Sequence, residues 1–136
     1  VIAKALAQKG VITSLALDDA CLRWAFGSLI GNTDMHSGNL ACYTDRAQPF
    51  SLAPVYDMTP MVFAPTAPGE LPEFRLSLDI IDVVNPSTWA RALSLAQDYV
   101  MRLRTSSLLS RDFAPCVDKL QTHIDQAAER LKRLAP

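Results

Sequence analysis

The sequence predicts a mainly α-helical domain with one small β-hairpin, and three observations carry that expectation. Two amphipathic runs close the chain. In residues 85–104, Trp89, Leu93, Ala96, Val100 and Leu103 share one stripe. After Ser110 or Asp112, Val117, Leu120, Ile124, Ala127, Ala128, Leu131 and Leu134 face one way, while Lys119, Asp125, Glu129, Lys132 and Arg133 face water. A more evenly apolar run, with Cys21, Leu22, Trp24, Ala25, Phe26, Leu29 and Ile30, suits a central helix buried on most sides. The short apolar runs 40–43 and 50–55 flank a turn over 44–49, which together read as the hairpin.

In chain order, Ile2, Leu6 and the alanines of residues 1–9 have helical spacing, and Gly10 is a suitable stop. Residues 11–17 form a connection, after which Asp18 is placed to cap the apolar helix. Gly31 and Asn32 then turn the chain sharply. Past the hairpin, Pro60, Pro65, Pro68, Gly69 and Pro72 favour an irregular loop over 59–75, followed by a short extended segment over 74–80. Asn85 is the expected N-cap of the next helix, with Pro86 at its first position. Trp24 and Trp89 fall on helical stripes and are expected in the core, whereas His123 is expected on a solvated face.

Composition narrows the class. A chain of 136 residues, 49% hydrophobic and 20% charged, is one globular domain's worth. Thirteen basic against fourteen acidic side chains give a formal charge of -1, which excludes a broad footprint for nucleic acid or anionic membrane. Cys21, Cys42 and Cys116 are widely spaced and odd in number, so they are read as reduced thiols of a cytoplasmic protein. No apolar run reaches membrane-spanning length and no signal-peptide pattern is present. The chain opens on Val1 inside an expected helix and is read as a piece of a longer protein.

The stretch Gly31-Asn32-Thr33-Asp34-Met35-His36-Ser37-Gly38-Asn39, with Asp57 beyond the hairpin, carries the chemistry. An Asp, an Asn five residues on, and a second Asp after an apolar strand is the pattern of phosphoryl-transfer enzymes. Such transfer needs a positioned hydroxyl and cations that neutralise charge on phosphate oxygens. Asp34 is the candidate to receive the proton of the attacking hydroxyl, and Asn39 and Asp57 are the candidate magnesium ligands, oxygen donors of the kind a hard cation prefers. The hairpin would bring Asp57 back beside Asn39. His36 is expected to hold the loop by bonding a backbone carbonyl or Asp57, and Tyr56 to pack on the loop with its hydroxyl toward water or nucleotide. The plain alternative is an Asx-rich turn. A zinc site from Asp34, His36 and Cys42 lacks a fourth ligand.

Residues 23–61 closely resemble the C-terminal domain of HipA-like serine/threonine kinases, the toxin-type bacterial kinases. The resemblance is carried by Leu29-Ile30-Gly31-Asn32, by Thr33-Asp34-Met35-His36 with Asn39, and by Leu52-Ala53-Pro54-Val55-Tyr56-Asp57. It implies that residues 1–136 are the helical catalytic lobe of a kinase-like fold, with the hairpin at the metal-binding edge. It implies Asp34 and His36 in the catalytic loop, Asn39 and Asp57 on Mg2+, and ATP bound beside Tyr56. The implied acceptor is a protein serine or threonine, in this family on components of translation, and the proline-rich segment after Asp57 would take the place of an activation segment. An antitoxin partner and the parent's own N-terminal lobe are implied as well.

The departures matter too. No glycine-rich loop, strand lysine or partner glutamate is recognisable, so the segment alone is expected to be inactive or nearly so. A small-molecule phosphotransferase of the aminoglycoside or choline kinase type shares the Asp, Asn and later Asp. Those enzymes usually place His two residues before the first Asp, where this chain has Asn32, and line the acceptor pocket with acidic side chains, for which only Glu70 and Glu73 are near. A helix-turn-helix module over residues 2–17 is the third reading. The helix after Gly10 is too apolar to lie in a DNA groove and lacks base-reading side chains, so direct nucleic-acid contact is not expected.

Overall fold

The computed structural model describes residues 2–65, 68, 69 and 76–133. Four α-helices, α1 (Ile2–Gln8), α2 (Ser14–Ile30), α3 (Pro86–Thr105) and α4 (Ala114–Lys132), carry the fold, with 3-10 turns at Ser37–Asn39, Met61–Phe63 and Arg111–Phe113. The protein is mainly helical, as its apolar stripes require. Of the expectations above, Glu70, Glu73, Leu134, the start of the segment over 74–80 and most of the loop beyond Pro65 lie outside the described residues.

The central helix begins earlier than its sequence suggests. Thr13, in extended conformation, accepts the Ala16 N–H on its hydroxyl at 3.0 Å, so α2 starts at Ser14 and Asp18 lies inside it. The extra turn buries Ala16 and extends the face packed by Ala20, Cys21, Ala25, Leu29 and Ile30. Leu29 and Ile30 are wholly excluded from solvent, each worth about 1.5–3 kcal/mol of hydrophobic stabilisation. α2 packs on α3 and α4, which themselves pack together. Trp89, Ala92, Ala96 and Val100 supply the α3 face, and Val117, Leu120, Ile124 and Ala127 the α4 face.

The helix α3 starts where the sequence places it, whereas Ser110 opens a 3-10 turn and α4 itself begins later, at Ala114. Asn85 Oδ1 accepts the Thr88 N–H at 2.8 Å ahead of Pro86, and Ser110 accepts the Asp112 N–H at 3.2 Å to open the 3-10 turn that leads into α4. Edge-to-face ring pairs, Phe26 with Tyr99 and Phe63 with Phe113, close the sides of the core.

Two expectations change. His123 is buried, 6% exposed, and not on a solvated face. It sits three residues after Leu120 and four before Ala127, so helical geometry turns it into the core. The hairpin is reduced to one antiparallel bridge, Cys42 to Leu52, with Tyr43 N–H donating to Ser51 O at 3.0 Å and Ala53 N–H to Ala41 O at 2.8 Å. Pro49 and Pro54 bracket the second run and have no N–H to extend a ladder. Phe50 pairs instead with the α1–α2 connection: its N–H donates to Val11 O at 2.8 Å and its carbonyl receives the Thr13 N–H at 3.0 Å. No strand forms among the described residues, and no helix among them is long and apolar enough to cross a membrane.

Candidate active site

The site hangs from the end of α2. Gly31 adopts a left-handed conformation (φ 73°), and both its N–H and that of Asn32 return to Gly27 O, the latter at 2.9 Å. A Cβ at Gly31 would also lie within 2.7 Å of Leu76 and Val62, so glycine is required on two counts. The Gly31 carbonyl accepts the Val62 N–H at 2.9 Å, which anchors the chain after Asp57 to this turn.

From there one buried side chain organises the rest. Asn32, 6% exposed, accepts the Asp34 N–H on Oδ1 at 3.0 Å and donates from Nδ2 to the Asp57 carbonyl at 3.3 Å. A single amide thereby fixes the backbone of both candidate aspartates. Asn39 repeats the arrangement at the surface: its Nδ2 donates to Asp34 O at 3.2 Å and to Asp57 Oδ2 at 3.4 Å. Asp34, Asn39 and Asp57 are therefore brought together, although the 3.4 Å contact joins residues 18 apart in sequence. Asp57 itself has φ 55°, a left-handed conformation that Asp tolerates better than most residues and that turns its side chain out of the run before it.

His36 and Tyr56 both hold the loop, through hydrogen-bond partners other than those expected. His36 Nδ1 accepts the Gly38 N–H at 3.1 Å, so it caps the Ser37–Asn39 turn and bonds neither a carbonyl nor Asp57. Tyr56 packs on the loop as expected, with its hydroxyl donating to Gly38 O at 2.6 Å. Both side chains thus shape the turn that presents Asn39. Arg23 adds a tie from α2, donating to Ala53 O at 2.7 Å just ahead of the Asp57 segment while paired with Asp19 at 2.6 Å. A cavity of about 370 Å³ opens beside these groups, with Asn32, His36, Asn39, Tyr56 and Asp57 on its polar side and Trp24 and Val84 among its apolar walls.

With this geometry in view, the comparisons with known proteins are decisive. The family model for the HipA-like C-terminal domain matches residues 2–133. The chain belongs to that family. It is also 34% identical over 129 residues to Toxin YjjJ of Escherichia coli (strain K12), an alignment that covers 95% of this chain and 29% of the toxin. The HipA-like chain therefore spans less than a third of that curated relative. No solved structure matches it.

The donor set of the HipA-like site suits a magnesium ion. The Asn39 amide nitrogen is engaged with Asp34 O and Asp57 Oδ2, and the side-chain oxygens of Asn39 and Asp57 are the donors a hard cation prefers. Magnesium usually keeps several waters and takes only one or two carboxylates from protein, and no group of three or more His, Cys, Asp or Glu side chains among the described residues competes as a metal site. The zinc reading has no support in that geometry.

Sequence reasoning missed the organising role of Asn32, which it took for a turn former. The available signal was an Asn directly after a helix-ending Gly, where a side-chain amide is held against buried backbone. It also missed the support behind the loop. Since Gly31 and Asn32 both bond Gly27 O, the Ser28 carbonyl at the end of α2 receives no N–H from either, and His123 Nε2 lies 3.3 Å from it. Burial pulls the His123 pKa below its ordinary 6.5, with the Ser28 contact opposing and Arg130 assisting, so the imidazole is neutral at neutral pH and donates from Nε2. His123, Ser28 and Asn32 are the buried polar residues of the described chain, and His123 ties α4 to the end of α2 through the Ser28 carbonyl.

Proposed function

We propose that this domain is the catalytic, helical lobe of an ATP-dependent protein serine/threonine kinase, in which Asp34 receives the proton of the acceptor hydroxyl and Asn39 and Asp57 hold Mg2+. The observation that carries this reading is the convergence of Asp34, Asn39 and Asp57 on one exposed edge, fixed from below by Asn32. In the reaction the acceptor oxygen bonds the γ-phosphorus of ATP, the bond from that phosphorus to the β–γ bridging oxygen breaks, ADP leaves, and the hydroxyl proton passes to the Asp34 carboxylate. Magnesium would supply charge neutralisation at the phosphate oxygens. This chain's own part is positional: Asn32 sets the spacing of the two aspartates, while His36 and Tyr56 hold the turn bearing Asn39. The glycine-rich and lysine elements of a nucleotide cradle belong to the remainder of the parent, whose substrate is a protein, with a translation component and an antitoxin as its partners by family analogy.

The test is transfer of labelled phosphate from Mg·ATP by the full-length parent, to itself and to a cell lysate, beside Asp34→Asn and Asp57→Asn. Asp34→Asn is expected to reduce transfer by about 10²–10⁴-fold, the usual worth of a positioned acid–base group, and Asp57→Asn to reduce it through weaker Mg2+ binding, neither changing the circular dichroism. Transfer that persists in Asp34→Asn would remove that residue from the chemistry. Consumption of ATP only when small metabolites are supplied would move the activity to a small-molecule phosphotransferase.

A further inference from the structure

We propose that Arg23 is a positioning residue of the candidate magnesium site: from the middle of α2 it fixes the start of the run 53–57 that carries Asp57, and so raises the affinity for the metal without touching it. The proposal rests on the kinase reading above and deepens it.

The run 53–57 has little to hold it except its ends. Pro54, Val55 and Tyr56 are exposed, and their backbone groups make no hydrogen bond among the described residues. Pro54 has no N–H, and the pairing around Cys42 and Leu52 stops with the Ala53 N–H on Ala41 O. The far end is tied by Asn32, which donates to the Asp57 carbonyl. The near end is tied by Arg23, whose Nη2 donates to the Ala53 carbonyl at 2.7 Å across 30 residues of sequence. Both ties come from α2 or the turn that ends it, and Ala25, Leu29 and Ile30 keep that helix wholly buried at its centre. The Tyr56 hydroxyl, on Gly38 O, joins the run only to the exposed loop. The segment bearing Asp57 is therefore slung at two points from one rigid support.

Arg23 is held for that task. Asp19, one turn back on α2, accepts from the same Nη2 at 2.6 Å and so orients the guanidinium. An Asp and an Arg four apart on a helix ordinarily form a surface pair of little consequence, as Asp98 and Arg102 do with the Arg side chain 75% exposed. The Arg23 side chain is only 12% exposed. Its Nη1 is buried with no partner, and a mostly buried guanidinium with an unused donor adds little net stability. What Arg23 does supply is a fixed point for Ala53. Magnesium demands near-octahedral ligands at roughly 2.0–2.1 Å, so a carboxylate whose backbone is free to drift binds it less well. Asp34 is anchored by Asn32 and Asn39 and has no tie to Arg23, so the proton-accepting group should not feel its loss. Arg23 also lines the cavity that contains Asn39 and Asp57, which makes direct contact with nucleotide the rival account.

The experiment follows Mn2+, a spectroscopic stand-in for Mg2+, bound by the full-length parent with a non-hydrolysable ATP analogue and read by electron paramagnetic resonance. Arg23→Met is expected to weaken Mn2+ binding about tenfold, the lower end of what outer partners of a metal site contribute. The urea midpoint and the affinity for the analogue in EDTA should stay at their wild-type values. Arg23→Gln, whose amide falls short of Ala53 O, should show the same loss and serves if the Met variant does not fold. In an Asp57→Asn background the Arg23 substitution should add nothing, because it acts through Asp57. Wild-type Mn2+ affinity in the Arg23 variants, whatever their urea midpoint, would make Arg23 a structural residue and overturn the proposal. Weaker binding of the analogue in EDTA would overturn it in favour of direct contact with nucleotide, and a further tenfold loss on top of Asp57→Asn would overturn it as well. Each of these results leaves the kinase reading standing. A wild-type parent that binds no Mn2+ with the analogue would overturn both.

Discussion

The helix α2 and the loop that follows it are held by different forces. The middle of α2 and its faces toward α3 and α4 are an apolar core in which Ala25, Leu29, Ala92, Ala96, Val100 and Ile124 have no solvent exposure. In the loop past Gly31, Asp34, His36, Gly38, Tyr56 and Asp57 are exposed and are positioned by one or two hydrogen bonds each. The core spreads its stabilisation over many contacts. The site concentrates its geometry in a few polar atoms, so damage to one region should appear as lost stability and damage to the other as lost positioning.

The largest stability effect should come from the core. Leu29→Ala removes a wholly buried side chain from the interface of α2 with its partners and is expected to cost about 2–5 kcal/mol, read as a lower urea midpoint with little change in slope. The contrast with the site is broken if this substitution lowers phosphate transfer under native conditions as much as Asp34→Asn does.

An intermediate effect is expected at Asn32, where the two regions meet. Asn32→Ala leaves the Asp34 N–H and the Asp57 carbonyl without their buried partner and should cost about 1–3 kcal/mol. Transfer should fall further than that loss of stability explains, because both aspartates lose their common anchor. Asn32→Asp keeps the acceptor for Asp34 but removes the donor to Asp57, so it should weaken the response to magnesium more than the proton-transfer step. Titration of activity with Mg2+ in both variants would distinguish the two bonds, and equal magnesium dependence would dissolve the assignment of one bond to each aspartate.

What could be read in the sequence divides along the same line. Helices α3 and α4 were legible because their stripes repeat at helical spacing and Asn85-Pro86 and Ser110 are strong local starts. The approach of Asp34, Asn39 and Asp57 to one another was legible because they form a spaced pattern across a turn and a hairpin-like return. The start of α2 was not, since Thr13 and Asp18 are both competent caps and only tertiary burial of Ala16 chooses between them. The extent of the hairpin depended on donors that Pro49 and Pro54 lack. His36 and Tyr56 were rightly associated with the loop, but a ring nitrogen or hydroxyl reaches several partners and local geometry alone chose Gly38. His123 was misread through its polar neighbours Thr122 and Gln121, when its spacing from Leu120 and Ala127 already placed it inside.

The smallest expected effect tests that buried histidine, and through it the join of α4 to the end of α2. Because the folded protein holds the His123 pKa below 6.5, the unfolded chain binds more protons than the folded one between the depressed value and 6.5. Stability should therefore be level above about pH 6.5 with respect to this group and decline as pH falls through that window. His123→Gln retains an N–H donor for the Ser28 carbonyl but does not titrate, so its urea midpoint should lose this part of the decline between pH 7.5 and pH 5. His123→Leu also removes the titration but leaves the carbonyl at the end of α2 unpartnered, and should be the less stable of the two at pH 7.5. A Leu variant as stable as the Gln variant would mean that the Ser28 carbonyl needs no donor, and that the join of α4 to the end of α2 is packing alone.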